Sequence, residues 1–200
     1  MNHFLLRALA ITAFTAAVPA FAASSQGDTA PVFTAQASQA GKTISFSLAE
    51  ALKKGPVVVY FYPSAYTGGC DIEAHTFATE TEKFSAANAT IIGVSEDSIQ
   101  RLNTFSSDPN YCAGKFPVAS DPDGKIAASY GLKVTAADPK AKDERGATID
   151  HGFIERTTFV IGRDGKIAAV LSSDADHLHP KDHVSKSLAV VEQMKQSKAP

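Results

Sequence analysis

The 200-residue sequence predicts an α/β sandwich: a central mixed β-sheet, parallel in the middle and antiparallel at one edge, flanked by helices. Three observations predict it. Val57-Val58-Val59-Tyr60-Phe61-Tyr62 and Thr90-Ile91-Ile92-Gly93-Val94 are short unbroken apolar runs, the pattern of strands buried on both faces. A helical stretch follows each of them. Asp164-Gly165, between two alternating runs, marks an antiparallel hairpin.

In chain order, residues 23–30 are small and polar and read as a loose lead-in. Pro31–Thr34 and Lys42–Ser47 read as two short strands around the turn Gln39-Ala40-Gly41. Ser47 is placed to cap a helix over Leu48–Lys54, which Gly55-Pro56 ends. Pro63 stops the first buried strand, and Thr67-Gly68-Gly69 reads as a flexible turn. From about Cys70, residues Ala74, Phe77, Ala78 and Phe84 recur at helical spacing for about four turns. Beyond the second buried strand come a helix from Ser98 to about Phe105 and a strand fragment, Pro117-Val118-Ala119. Asp121-Pro122-Asp123-Gly124 then opens a short helix that Gly131 ends. Residues 133–152 are polar and read as a long excursion, with Lys140–Arg145 a solvated loop. Thr157–Ile161 and Lys166–Leu171 form the hairpin, and Pro180 opens a closing helix to about Met194 with Val184, Leu188 and Val191 on one face. This order of elements is the thioredoxin-like plan.

Residues 1–22 stand apart. Arg7, the only formal side-chain charge there, precedes the uncharged run Ala8–Val18, and Ala20-Phe21-Ala22 fits a small-x-small cleavage signal. That is the pattern of a secretory signal peptide, so a single domain over residues 23–200 is expected to be exported, a bacterial periplasm being the expected compartment. The apolar run is shorter than the roughly 20 residues a membrane helix needs, and no later stretch approaches that length, so no membrane insertion is expected. Loss of Arg7 shifts the formal charge from −2 to −3, which gives nucleic acid nothing to bind.

Export would place Cys70 and Cys112 in an oxidising compartment, where an even count is first read as a structural disulfide. With 42 positions between the two cysteines, such a bridge would stabilise by roughly 4 kcal/mol in the chain-entropy model. Cys70 has a second reading. Following a glycine turn at the first residues of a helix, its sulfur lies near unpaired backbone N–H groups and the positive end of the helix dipole, which favours the thiolate. A free thiol with pKa near 8.5 is only about 3% ionised at pH 7, so ionisation alone raises a rate by at most about thirty-fold. Efficient catalysis then needs donors that stabilise the transition state. Thr67 offers a hydroxyl at the helix entrance, and Arg156, at the start of a predicted strand, a guanidinium.

Pro63-Ser64-Ala65-Tyr66-Thr67-Gly68-Gly69-Cys70 resembles the P-x-x-x-[TS]-x-x-C loop of the peroxiredoxins, the AhpC/TSA family, directly after the expected strand. The resemblance continues through Glu73, Phe116-Pro117-Val118-Ala119-Ser120-Asp121 and Glu155-Arg156-Thr157-Thr158-Phe159-Val160-Ile161, and is nearest to the bacterioferritin-comigratory, or Q-type, group. It implies a peroxidatic Cys70 that is oxidised to a sulfenic acid as hydrogen peroxide or an organic hydroperoxide is reduced, in antioxidant defence. It implies that Pro63 shields the sulfur, that Thr67 and Arg156 hold the peroxide and that Glu73 orients the arginine. No cofactor or metal is called for. The recycling partner expected is an exported dithiol donor of thioredoxin-like type, and both a monomer and a homodimer are open.

His75 departs from the resemblance, because many Q-type members carry a resolving cysteine at that place. Five positions rotate a helix by about 140° from Cys70, so His75 is expected to face solvent or cap a neighbour. Cys112, in Asn110-Tyr111-Cys112-Ala113-Gly114-Lys115, is the remaining candidate to attack the sulfenic acid and close an intramolecular disulfide. A one-cysteine cycle with an external thiol and an inert bridge stay open beside it.

Other constellations have plainer readings. His177, His179 and His183 have spacing that suits zinc or copper, while loop and capping roles explain them without metal. Tyr60, Phe61, Tyr62, Tyr66 and Phe153 read as core, with Tyr62, Tyr66 and Phe153 also placed to line a peroxide entrance. The rival from another class is an exported thioredoxin-like copper-binding protein. The C-x-x-x-C pair expected of it is absent, as is the C-x-x-C of a disulfide oxidoreductase.

Overall fold

A computed structural model describes residues 23–197; the expected leader, residues 1–22, lies outside them. The chain opens with β1 (Thr34–Gln39) and β2 (Lys42–Ser47), joined by Ala40 and Gly41 at φ 50° and 77°. Two consecutive left-handed residues make the hairpin turn whose twist matches the strands. The first strand therefore lies later than the expected Pro31–Thr34: Ala, Gln and Ser have weak strand preference, and cross-strand pairing decides instead. Ser47 caps α1 (Leu48–Lys54), accepting from the Glu50 amide, and Gly55 ends it. β3 (Val57–Phe61) leads to α2 (Gly68–Ala86), β4 (Thr90–Ser95) and α3 (Ile99–Ser107). β5 (Val118–Ser120) and α4 (Lys125–Ser129) follow.

The polar excursion holds two short strands, β6 (Val134–Thr135) and β7 (Phe153–Ile154), paired with each other. β8 (Thr157–Ile161) and β9 (Ile167–Ser172) form the expected hairpin, and a single turn, α5 (Ser173–Asp176), precedes α6 (Pro180–Gln196).

The main sheet runs β2-β1-β5-β4-β3-β8-β9, with β5, β4 and β3 parallel and antiparallel pairs at both edges. One edge was expected to be antiparallel; the second arises because β1 docks on β5 and carries its hairpin partner with it.

Strand alternation divides the core. Val58 and Tyr60 of β3 face α2, α3 and α6 through Phe77, Phe84, Leu102, Phe105, Val184 and Val191. Val57, Val59 and Phe61 face α1 and α4 through Leu48, Leu52 and Ala127. Fixed by aromatic and branched packing on both faces, β3 is a rigid base for whatever leaves its C-terminal end.

Candidate active site

The site forms where β3 and β4 end together, with β8 starting beside them. Pairing of Phe61 with Thr157 sets Arg156 next to the loop that leaves β3. Pro63 is partly buried at that exit. The chain reverses at Tyr66, φ 62°, and not at the glycines, which are already the first two residues of α2. This corrects the reading of Thr67-Gly68-Gly69 as a flexible turn. The glycines serve space instead: a Cβ on Gly69 would lie 3.2 Å from Arg156 Nη2, and one on Gly68 3.0 Å from Glu144 Oε1.

Cys70, in the first turn of α2, is 2% exposed, and Arg156 Nη2 donates to its Sγ at 3.1 Å. Arg156 Nη1 pairs with Glu73, one turn further along α2 and fully buried. One guanidinium thus bridges sulfur and carboxylate, the planar two-ended recognition a lysine cannot reproduce. The Thr67 hydroxyl, at the N-cap of α2, donates to the Ser64 carbonyl at 2.8 Å.

The expectation of a thiolate favoured outright is corrected by burial, which pushes the Cys70 thiol up; the Arg156 charge and Thr67 push it back only in part. The helix terminus and the guanidinium therefore offset a desolvation that the sequence does not reveal. Burial also pushes Glu73 up to about 7 against the pull of Arg156, while Arg156, although burial opposes its charge, is held protonated by Glu73 and the sulfur.

A left-handed tyrosine costs of order 1–3 kcal/mol and persists only when its surroundings over-determine it. Here Asp97, fully buried after β4, accepts from the Ala65 amide at 2.7 Å and from Ser64 Oγ at 3.1 Å, and pairs with Arg101 Nε at 2.7 Å and His151 Nε2 at 2.9 Å. Arg101 also donates to the Ala65 carbonyl at 2.8 Å and reaches Asp143 at 3.0 Å. Arg145 pairs with Asp143, its guanidinium carbon 3.1 Å from the Tyr66 ring centroid, and the Glu144 amide donates to the Tyr66 carbonyl. Lys140–Arg145 is therefore no merely solvated loop: Asp143, Glu144 and Arg145 brace the Cys70 loop.

The three histidines do not converge as a metal cluster would, and two of them cap helices as expected, His177 at the C-terminus of α5 and His179 at the N-terminus of α6, where its amide donates to Asp182 Oδ2 at 2.9 Å. His183 turns inward: its Nδ1 lies 3.0 Å from Thr158 Oγ1, its Nε2 2.9 Å from Ser173 Oγ, and Glu73 Oε1 is 4.0 Å away. Burial and Arg156 push its pKa down to about 4, so it is neutral behind Glu73. His177 and His179 are exposed at the two ends of the α5–α6 connection. Among the described residues no group of three or more His, Cys, Asp or Glu is arranged to hold a metal.

Cys112 is fully buried and unbonded to Cys70, in the loop between α3 and β5. Burial pushes it well above the usual thiol range, with Asp71 and Asp108 adding to the effect. His75 is exposed and its Nδ1 meets the Asn110 carbonyl at 3.0 Å, the neighbour-capping place expected of it. Tyr60, Tyr62 and Tyr66 are each 1% exposed and belong to the core. Phe153 is partly buried in β7.

Asp97, Arg101, His151 and Asp143 escaped the sequence reading. The one signal for them is position: Asp97 follows the C-terminal end of a buried parallel strand, where sites of open α/β sheets lie.

The AhpC/TSA family model matches residues 26–170. A Coxiella burnetii protein provisionally named peroxiredoxin bcp is 33% identical over 144 residues, 72% of this chain and 85% of that one. Chloroplastic peroxiredoxin Q of Sedum lineare is 29% identical over 175 residues, 88% and 82% of the two chains. The crystal structure of peroxidoxin BcpB from Mycobacterium tuberculosis superposes with a TM-score of 0.68 at 29% identity, covering 85% of this chain and 97% of that one. With a buried cysteine at a helix start, held by an arginine that a glutamate orients, the chain belongs to the AhpC/TSA family of peroxiredoxins, thiol-dependent peroxidases, and is similar to its bacterioferritin-comigratory, Q-type members.

Proposed function

We propose that this thiol peroxidase reduces hydrogen peroxide and organic hydroperoxides at Cys70 through a two-cysteine cycle. The observation that carries the reading is the Cys70–Arg156–Glu73 bridge at the start of α2. The Cys70 thiolate attacks the terminal peroxide oxygen, the O–O bond breaks, and the departing oxygen takes a proton and leaves as water or alcohol. Arg156 and the Thr67 hydroxyl stabilise the charge shifting along that bond, and Pro63 shields the sulfur.

Cys112 then attacks the Cys70 sulfenic acid to give an intramolecular disulfide and water. Both sulfurs are buried, so the segment carrying Cys112, the first turn of α2 or both must open. A dithiol protein of thioredoxin-like kind reduces the disulfide. The leader pattern in the sequence supports a cycle outside the cytoplasm, in a periplasm, as antioxidant defence.

The test is one equivalent of hydrogen peroxide added to the reduced protein, with free thiols and intact mass followed beside Cys70→Ser and Cys112→Ser. The reading expects wild type to lose both thiols and two mass units, Cys70→Ser to be inert and Cys112→Ser to stop at the sulfenic acid. A wild-type end point at the sulfenic acid would assign a one-cysteine cycle with an external thiol.

A further inference from the structure

Asp71 follows Cys70 directly and has no role in the peroxide chemistry, yet it is 8% exposed. Among the described residues it is the one carboxylate with both oxygens buried and without a hydrogen-bond partner. A carboxylate so placed carries a desolvation cost that a threonine or alanine would avoid. The Tyr66 backbone gives it partial relief without closing a hydrogen bond.

The Cys112 loop is anchored on residues to either side of Asp71, Tyr66 before it in the chain and His75 after it. Asp71 and His75 stand four residues apart on one face of α2, and His75 is bonded to Asn110 at 3.0 Å, which lays the loop along that face. Tyr111 packs edge-on against Tyr66, just ahead of α2, at 5.2 Å between centroids. Cys112 is closed over by the same cluster that holds Cys70. The charged and titratable groups facing Asp71 are Glu144, Asp143 and Arg145 from the excursion and Tyr111 and Cys112 from the loop.

Cys112 faces a chemical obstacle. Buried among apolar side chains and rings with no cation to favour its anion, Cys112 is held as the thiol, so its attack on a sulfenic acid needs a group to take its proton. Of the two carboxylates whose charge bears on Cys112, Asp71 is buried with neither oxygen hydrogen-bonded, whereas Asp108 accepts from the Asn110 amide at 2.9 Å.

We infer that Asp71 takes the proton of Cys112 as the disulfide forms and returns it to the departing hydroxyl. The inference rests on the two-cysteine cycle above. The Cys112 sulfur bonds to the Cys70 sulfur, the S–O bond of the sulfenic acid breaks, and the hydroxide leaves as water with the proton Asp71 held. The Cys112 sulfur supplies the electron pair of the new S–S bond, the S–O pair leaves with the hydroxide, both sulfurs end at the disulfide level, and no further reactant enters. Adjacent to Cys70 in the chain, Asp71 stays with the receiving sulfur whichever segment opens. Burial, with Glu144 and Asp143 adding repulsion, lifts the Asp71 carboxyl to about 7, so both of its forms are populated at neutral pH.

Rapid mixing of reduced Asp71→Asn with hydrogen peroxide, with mass-resolved quenching, separates the two steps. Sulfenic acid formation is expected within about threefold of wild type, and disulfide formation slowed by at least about tenfold at pH 7.5. The disulfide step is expected to lose the part of its pH dependence centred near 7, and Asp71→Glu to recover most of the rate. Disulfide formation in Asp71→Asn at the wild-type rate and with the wild-type pH curve overturns the inference, as does equal slowing of both steps. If wild type itself never forms the Cys70–Cys112 disulfide, the two-cysteine reading fails and this role falls with it.

Folding is monitored by urea titration. The folded-state pKa of Asp71 is raised, so its ionisation opposes folding above about pH 7 and not below its unfolded pKa near 4. Asp71→Asn should therefore raise the urea midpoint at pH 8 and leave it nearly unchanged at pH 3.5.

Discussion

Cys70 and Cys112 lie in one cluster of buried side chains, at 2% and 0% exposure, but the regions that carry them are built differently. The Cys70 loop is held by charge: Asp97, Arg101, His151, Asp143 and Arg145 fix its backbone, and Arg156 touches the sulfur itself. The Cys112 loop is held by rings and a few local bonds. Tyr111 stacks on Phe105, His75 meets one carbonyl, and Ala113 sits at a left-handed φ of 51°. Burial raises both thiols, but only Cys70 has a cation to pull it back. Burial without a cation holds a thiol protonated; a guanidinium beside it offsets part of that burial. The buried ion pairs belong to the Cys70 region, so in the proposed cycle the Cys112 region is the one expected to open more readily.

The sharpest way to break this contrast is Asp97→Ala, which leaves Arg101 and His151 without their buried partner. Removing one member of such a network typically costs about 3–5 kcal/mol. Urea unfolding should show a loss of that order, and a near-neutral result would mean that the charges do not brace the Cys70 loop.

Next in size, Arg156→Gln should lower the second-order rate of Cys70 with hydrogen peroxide by about 10²–10³-fold, the usual effect of deleting one transition-state donor. Arg156→Lys should recover only a fraction, because an ammonium cannot span sulfur and Glu73 together. Stopped-flow fluorescence or competition kinetics checks both, and a wild-type rate in Arg156→Gln would put Cys70 on the same footing as Cys112.

The smallest effect sharpens the other side of the comparison. His75→Ala removes one exposed hydrogen bond, worth about 1 kcal/mol. Amides of residues 110–115 should exchange with deuterium roughly fivefold faster and Cys112 should alkylate faster by a similar factor, with Cys70 unchanged. Equal acceleration at both cysteines would show that the two regions open as one unit.

Much of this was legible in the sequence because it is local. The apolar runs of β3 and β4, the Ser47 cap, the Asp-Gly hairpin and the proline-to-cysteine loop each declare themselves within a few residues. Cys70 and Thr67 followed from the motif and Glu73 and Arg156 from the resemblance beyond it, and strand register then brought Arg156 to the sulfur from 86 positions away. The second strand of the first hairpin and its turn were found, but β1 was misplaced because its Ala, Gln and Ser residues take their strand character from pairing partners and not from themselves.

The sequence by itself determined the sheet's central strands, the family, and the placing of Cys70 at a helix start after the proline-to-cysteine loop, since spacing and residue type carry that information. Only the tertiary structure decided how strongly burial opposes the thiolate, that Tyr66 and not a glycine makes the turn, that His183 supports Glu73 instead of joining its neighbours, and that Asp71 is buried without a partner. These are matters of desolvation and of contacts between residues far apart in the chain. Their energies depend on which groups exclude water from which others, and that is set when the layers close.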